Sequence, residues 1–197
     1  ENQKLTLLDP ISWDDSNDTH YLLVYKDRKK LKTLLVICFT QKEETYHHWK
    51  VFAPGESGVC IKFKRDQLLR ILNNHNKVEK CARVIPKKVN YPPIKKNRKK
   101  KPQIDLLPFI KRQAFKDEGE FRVIYESTET NLSKKDISIP LSCIAEIKLS
   151  PWMHESLSND IKRVLKGIGG CKHIKIARST LIGNDEWKKI GGFIRQK

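Results

Sequence analysis

Leu34-Leu35-Val36-Ile37-Cys38-Phe39, Glu43-Glu44-Thr45-Tyr46-His47-His48-Trp49 and Gly58-Val59-Cys60-Ile61-Lys62-Phe63 follow one another in a single stretch of this chain. The outer two runs are short, β-branched and aromatic, which is the composition of buried strands. The seven residues between them read as a connection, yet they hold two carboxylates, two imidazoles, a phenol and an indole. The whole chain has only six His and four Trp. Connections are usually built from Gly, Pro, Asn and Ser. A connection rich in titratable and aromatic groups, held by two core strands, is therefore a candidate site.

Working outward, Lys4–Leu8 is a short apolar run closed by the Asp9-Pro10 turn signal. The acidic Trp13–Asp18 segment leads to a helix or strand over His20–Tyr25. Helical spacing covers Asp66–Leu72, and a strand is expected over Cys81–Ile85, closed by Pro86. Leu106–Arg112 reads as a short helix leading into the strand Glu120–Tyr125. Ile137–Ile139 and Ile144–Leu149 are further strands, the second alternating with period two. Ser158–Leu165 is an amphipathic helix capped by Ser158 or Asn159, Ile174–Ile176 a last strand, and Trp187–Ile194 a tail of open class. Strands and helices without regular alternation give an α+β fold, a single domain over 1–197 with a mixed or antiparallel central sheet and flanking helices. The chain opens at Glu1 directly into a structured segment, so an N-terminal strand is expected upstream.

The bulk properties narrow the partners. The chain has 197 residues, 40 Lys and Arg against 23 Asp and Glu, and a formal charge of +17. Such an excess favours a polyanion, nucleic acid before an anionic membrane, although a Lys-rich surface also serves solubility alone. Within a basic insert at about 90–103, Lys95, Lys96, Arg98, Lys99, Lys100 and Lys101 form a run that either tracks a phosphate backbone or is a solvated loop. The five cysteines are scattered, with no C-x-x-C pair, so neither a zinc ribbon nor a redox pair is expected. Cys38, Cys60 and Cys143 read as small buried hydrophobes. No apolar stretch reaches membrane-spanning length, and the reading is a cytoplasmic protein without a membrane partner.

Glu118-Gly119-Glu120-Phe121-Arg122 is the second constellation. On one strand Glu118, Glu120 and Arg122 share a face, and two close carboxylates raise one another's pKa while the guanidinium opposes this. The bland alternative is a surface Glu–Arg ladder. His47 and His48 are adjacent and point apart, so they are not a zinc pair; one is a candidate base and the other its support. Tyr46 and Trp49 are candidates for stacking on a substrate ring. Asp14, Asp15 and Asp18 read as a helix cap rather than a cation loop. No metal site is expected from this spacing.

Cys38-Phe39-Thr40, Thr45–Trp49 and Ser57–Phe63 resemble a bacterial family catalogued as domain of unknown function 2971. The acidic 13–18 element and the Lys111–Arg122 segment extend that resemblance over about residues 5–150. It implies an accessory or effector protein of the phage-defence or toxin kind, with a protein partner in a defence complex. A fainter similarity is to ADP-ribosyltransferases, whose late strand bears a catalytic Glu or Glu-x-Glu; it implies Glu118 and Glu120 as catalytic carboxylates and a nicotinamide dinucleotide as cofactor. Together these give the expected function: a bacterial effector acting on nucleic acid or a nucleotide, with Glu118, Glu120, Arg122, His47 and His48 as catalytic candidates. The alternatives are a non-enzymatic nucleic-acid-binding subunit and a magnesium-dependent nuclease using Asp14, Asp18, Glu118 and Glu120.

Overall fold

A computed structural model describes residues 3–75, 81–95 and 101–192. Its contacts divide the chain into two compact units, 1–43 with 65–139 and 44–64 with 140–197. Both mix strands and helices, and the fold is α+β.

Unit 1 contains β1 (Lys4–Leu8), α1 (Ser16–Arg28) and β2 (Thr33–Thr40), followed after the excursion of 44–64 by α3 (Arg65–His75), β4 (Ala82–Lys88), β5 (Glu120–Ser127) and β6 (Lys134–Ser138). The strands form one antiparallel sheet in the order β4-β5-β2-β1-β6. The run 34–39 lies in β2, at the centre. α1 covers one face, packing Leu22 and Tyr25 on Leu34, Val36, Phe109 and Ile124. Each such side chain contributes about 1.5–3 kcal/mol by leaving water. α3 packs against β4 and buries Leu68 and Leu72.

α1 begins where Asp15 caps it, accepting hydrogen bonds from Asn17 N and Asp18 N, as the acidic turn leads one to expect. Two polar clamps then fix it to β5. Asp18 meets Arg122, and the Tyr25 hydroxyl donates to Glu126 at 2.5 Å. Seven helical residues span about 10.5 Å and four strand residues about 13 Å, so two turns of helix nearly match the strand spacing beneath them.

β4 runs to Lys88 rather than stopping at Pro86. Val89 N–H donates to the Glu120 carbonyl, which fixes the register and turns the Pro86 nitrogen away from β5. β4 is an edge strand, so the missing N–H costs the ladder nothing. Before β5, Ile104–Phe109 and Gln113–Glu118 are 3-10 turns, so the short helix expected over 106–112 is a tighter turn ending before Ile110. Of the basic run, Lys95 and Lys101 are exposed, while Lys96, Arg98, Lys99 and Lys100 lie outside the described residues.

Unit 2 contains α2 (Tyr46–Phe52), β3 (Val59–Phe63), β7 (Ile144–Leu149), α4 (Glu155–Gly167), β8 (Lys175–Arg178) and α5 (Asp185–Gly192). Its sheet is β3-β7-β8, antiparallel then parallel. The 43–49 stretch is therefore not a loop: Tyr46–Trp49 is the first turn of α2, started by Thr45, whose Oγ1 accepts from His48 N at 3.1 Å. α4 starts at Glu155 with His154 as its cap, before the Ser158 or Asn159 expected, and Ser158 is buried inside it. The tail from Trp187 falls within α5 as far as Gly192. Gly58 is required by crowding: a Cβ there would lie 2.4 Å from the Ala53 carbonyl oxygen. Among the cysteines, Cys143 is buried as expected and Cys60 half-buried, but Cys38 is exposed, although it pairs with Arg122 in the register and shares its face of the sheet.

Candidate functional site

In unit 1, β5 alternation sends Glu120 and Arg122 to the α1 face, and Arg122 is wholly buried. All five of its N–H donors are used. Nε donates to Glu120 Oε1 at 2.5 Å and Nη2 to Glu120 Oε2 at 3.0 Å. Nη1 donates to Asp18 Oδ1 at 2.8 Å and to the Pro108 carbonyl at 2.9 Å, and Nη2 also donates to Asp18 Oδ2. The Trp13 ring lies over the guanidinium, 5.4 Å from centroid to Cζ. The pairing of Glu120 with Arg122 is thus as the strand period implies, but it is a buried clamp rather than a surface ladder.

Glu118 reaches the same place by another route. It ends a 3-10 turn, and Gly119 follows in the left-handed region at φ 54°, so Glu118 is off the strand and period two does not place it. Lys111 is what unites the two glutamates. Its Nζ donates to Glu118 Oε2 at 2.7 Å and stands 3.6 Å from Glu120 Oε2 and 3.7 Å from Asp18 Oδ2. Glu120 N–H donates to the Tyr91 hydroxyl at 2.8 Å. Burial, together with the nearby Glu120 charge, pushes the Tyr91 phenol up to about 12.

Three carboxylates face two cations here, and the imbalance shows in their protonation. Burial raises Asp18 and Glu118 above the usual carboxylate range against the pull of Arg122 and Lys111 respectively. Burial would lift Glu120 as well, but the Arg122 bonds outweigh it and hold that carboxyl low. Asp18 has both oxygens on the Arg122 fork, so Glu118 is the better seat for an extra proton. Asp18 and Lys111 also line a cleft of about 810 Å³ whose other walls include Asp15, Asn17, Tyr21 and Arg112. That volume suits a nucleotide-sized ligand.

These donors do not suit a divalent metal. Both oxygens of Asp18 and of Glu120 are engaged by Arg122, Asp14 is exposed, and among the described residues no group of three His, Cys, Asp or Glu side chains could hold an ion.

Tyr46, His47, His48 and Trp49 belong to unit 2, so the site expected from sequence divides between the units. Trp49 is buried and its indole N–H donates to Glu44 Oε2 at 2.9 Å. Lys148 donates to Glu44 Oε1 at 2.7 Å. Burial would raise Glu44, but bonds from Lys148, Ser179 and Trp49 hold it below the usual range. Tyr46 meets Trp152 edge-on at 5.9 Å, with the Lys50 ammonium over both rings. His47 is exposed and His48 half-buried. Much of the unusual composition of 43–49 is thus spent on fastening α2 within its unit. Lys111, Trp13 and Tyr91 are not among the site candidates read from the sequence; Lys111 and Trp13 enter there only as the first residues of the 111–122 and 13–18 segments that carry the family resemblance.

Residues 48–123 match the model of a family described as a protein of unknown function, DUF2971. That span includes α2 from His48 onward, β3, Lys111 and the Glu118–Arg122 segment, and agrees with the central part of the resemblance drawn above. No curated protein and no solved structure matches the chain, so no ADP-ribosyltransferase stands among the matches. Among the described residues no helix is long and apolar enough to cross a membrane.

Proposed function

We propose that the protein is an effector enzyme acting on a nucleotide or on nucleic acid, of the phage-defence or toxin kind, and that unit 1 carries its active site. The observation behind this reading is the buried Asp18–Arg122–Glu120–Lys111–Glu118 lattice, which reaches the wall of the 810 Å³ cleft through Asp18 and Lys111. A fixed charge array beside a cleft, with two of its carboxyls raised by burial, is the arrangement that proton transfer requires. In this reading Arg112 takes the phosphates and Tyr21 stacks on a base. Lys111, on the cleft wall, passes a proton to Glu118 along its 2.7 Å hydrogen bond and takes one from an attacking hydroxyl or ring nitrogen. For a nicotinamide dinucleotide, the nucleophile then bonds to the ribose C1 as the glycosidic bond to nicotinamide breaks, and nicotinamide departs with that electron pair.

Incubation of the full chain with labelled dinucleotide and RNA or DNA should transfer label. Glu118→Gln should reduce transfer by about 100-fold or more. Absence both of transfer and of nucleotide binding would overturn the reading. A second reading, a non-enzymatic nucleic-acid-binding subunit, is favoured by the +17 charge. It calls for binding that weakens steeply with salt and is indifferent to Glu118→Gln.

A further inference from the structure

The edges of the two sheets are built differently. In unit 1, β4 turns Pro86 outward, and the opposite edge, β6, carries Lys134 and Lys135, both of which discourage pairing with another strand. β3 is an edge strand of the unit 2 sheet and has no such residue at the outward positions. Ser150 N–H donates to the Gly58 carbonyl at 2.9 Å, and the register continues through Cys60 opposite Lys148. Val59 and Ile61 therefore occupy the alternate positions, whose N–H and C=O groups point away from β7. Their side chains are 50% and 43% exposed. With Leu157, Ile161 and Leu165, spaced four apart along α4, they line an apolar cavity of about 540 Å³. Outward-facing peptide groups and an open apolar cavity thus meet at the same two residues.

We propose that β3 is the docking edge for an extended segment of a partner protein, apolar at alternate positions and acidic between them. A guest residue directly opposite Val59 or Ile61 shares their face and places its side chain in the cavity, while its backbone pairs with their N–H and C=O groups. The intervening guest residues project to the face of Cys60 and Lys62, where Glu44 and Glu146 are already paired with Lys148 and Lys175, so the exposed Lys62 and the +17 charge of the chain favour carboxylates. A second copy of this chain fits less well, because it brings the same positive charge and the same Lys62 and Lys64. The proposal stands independently of the nucleotide reading of unit 1.

The test uses the full chain and a fluorescein-labelled, glycine-flanked peptide of about eight alternating valine and glutamate residues, read by polarisation. Saturable binding is expected. It should weaken about tenfold or more when alternate peptide nitrogens are methylated, when glutamate is replaced by lysine, and in Ile61→Asp. Leu157→Gln, on the exposed helix wall, should weaken binding without touching the strand, so that a folding defect in Ile61→Asp does not decide the matter. Equal binding of a scrambled Val/Glu peptide, or indifference to N-methylation, would overturn the proposal. So would concentration-dependent self-association abolished by Leu157→Gln, which would assign the edge to a second copy.

Discussion

Each unit pairs a carboxylate with a cation beside an aromatic residue, but at different depths. Around Arg122 and Asp18 both paired side chains are fully buried, whereas Lys148 and Glu44 keep 22% and 19% of their side-chain surface in contact with water. Water still reaches the second pair, and Trp49 and Ser179 also bond Glu44, so losing Lys148 leaves that carboxylate partly solvated and still hydrogen-bonded. The first pair has no such refuge. Its value lies in complete satisfaction, five donors matched by five acceptor contacts, and any single deletion strands a charge in the interior.

The difference is open to test, beginning with its deepest point. Arg122→Met should cost about 3–5 kcal/mol, read as a lowered urea midpoint, whereas Lys148→Met should cost no more than about 1 kcal/mol. Equal losses would erase the contrast. Gly58→Ala should cost about 1–3 kcal/mol, because the new Cβ meets the Ala53 carbonyl, a backbone group that cannot swing aside. Trp49→Phe keeps an aromatic plug and removes only the indole donor to Glu44, so about 1 kcal/mol is expected, visible as a small fall in melting temperature.

The smallest effect is one of pH. Glu118 is raised above its usual 4.5, so the folded chain holds that proton more firmly than the unfolded one. Its contribution to stability is complete below the unfolded value and is lost as pH rises through the folded one. Glu118→Gln removes that loss. The melting temperature of the variant minus that of the parent should therefore climb as pH rises above the ordinary carboxylate value of 4.5. A flat difference would mean that Glu118 is ordinarily ionised.

Much of this architecture was legible in the residues. The runs 34–39, 59–63, 120–125 and 144–149 are strands because their β-branched and aromatic content and period leave few other options, and Asp15 caps α1 as acidic turn residues do. The misreadings have physical causes. Seven residues rich in charge hid the first turn of a helix, because a short helix held by one buried Trp shows no periodicity. Pro86 reads as a stop because the direction in which an edge residue points is not written in its own sequence. Glu118 and Glu120 do meet at one cation, but through a left-handed glycine and a lysine seven residues upstream rather than through strand alternation. Asp18 reads only as a cap or metal ligand in sequence, since its pairing with Arg122 spans 104 residues.

That span has a consequence for how the chain acquires its structure. The two clamps on α1 join partners 104 and 101 residues apart, so neither forms until β5 has been made and brought back across the sheet. Closing so long a loop costs entropy before any contact repays it. During synthesis α1 emerges first and waits, its Asp18 and Tyr25 hydrated, for strand residues made much later. The two clamps therefore close late in unit 1, only after Arg122 and Glu126 have both been made on the same strand.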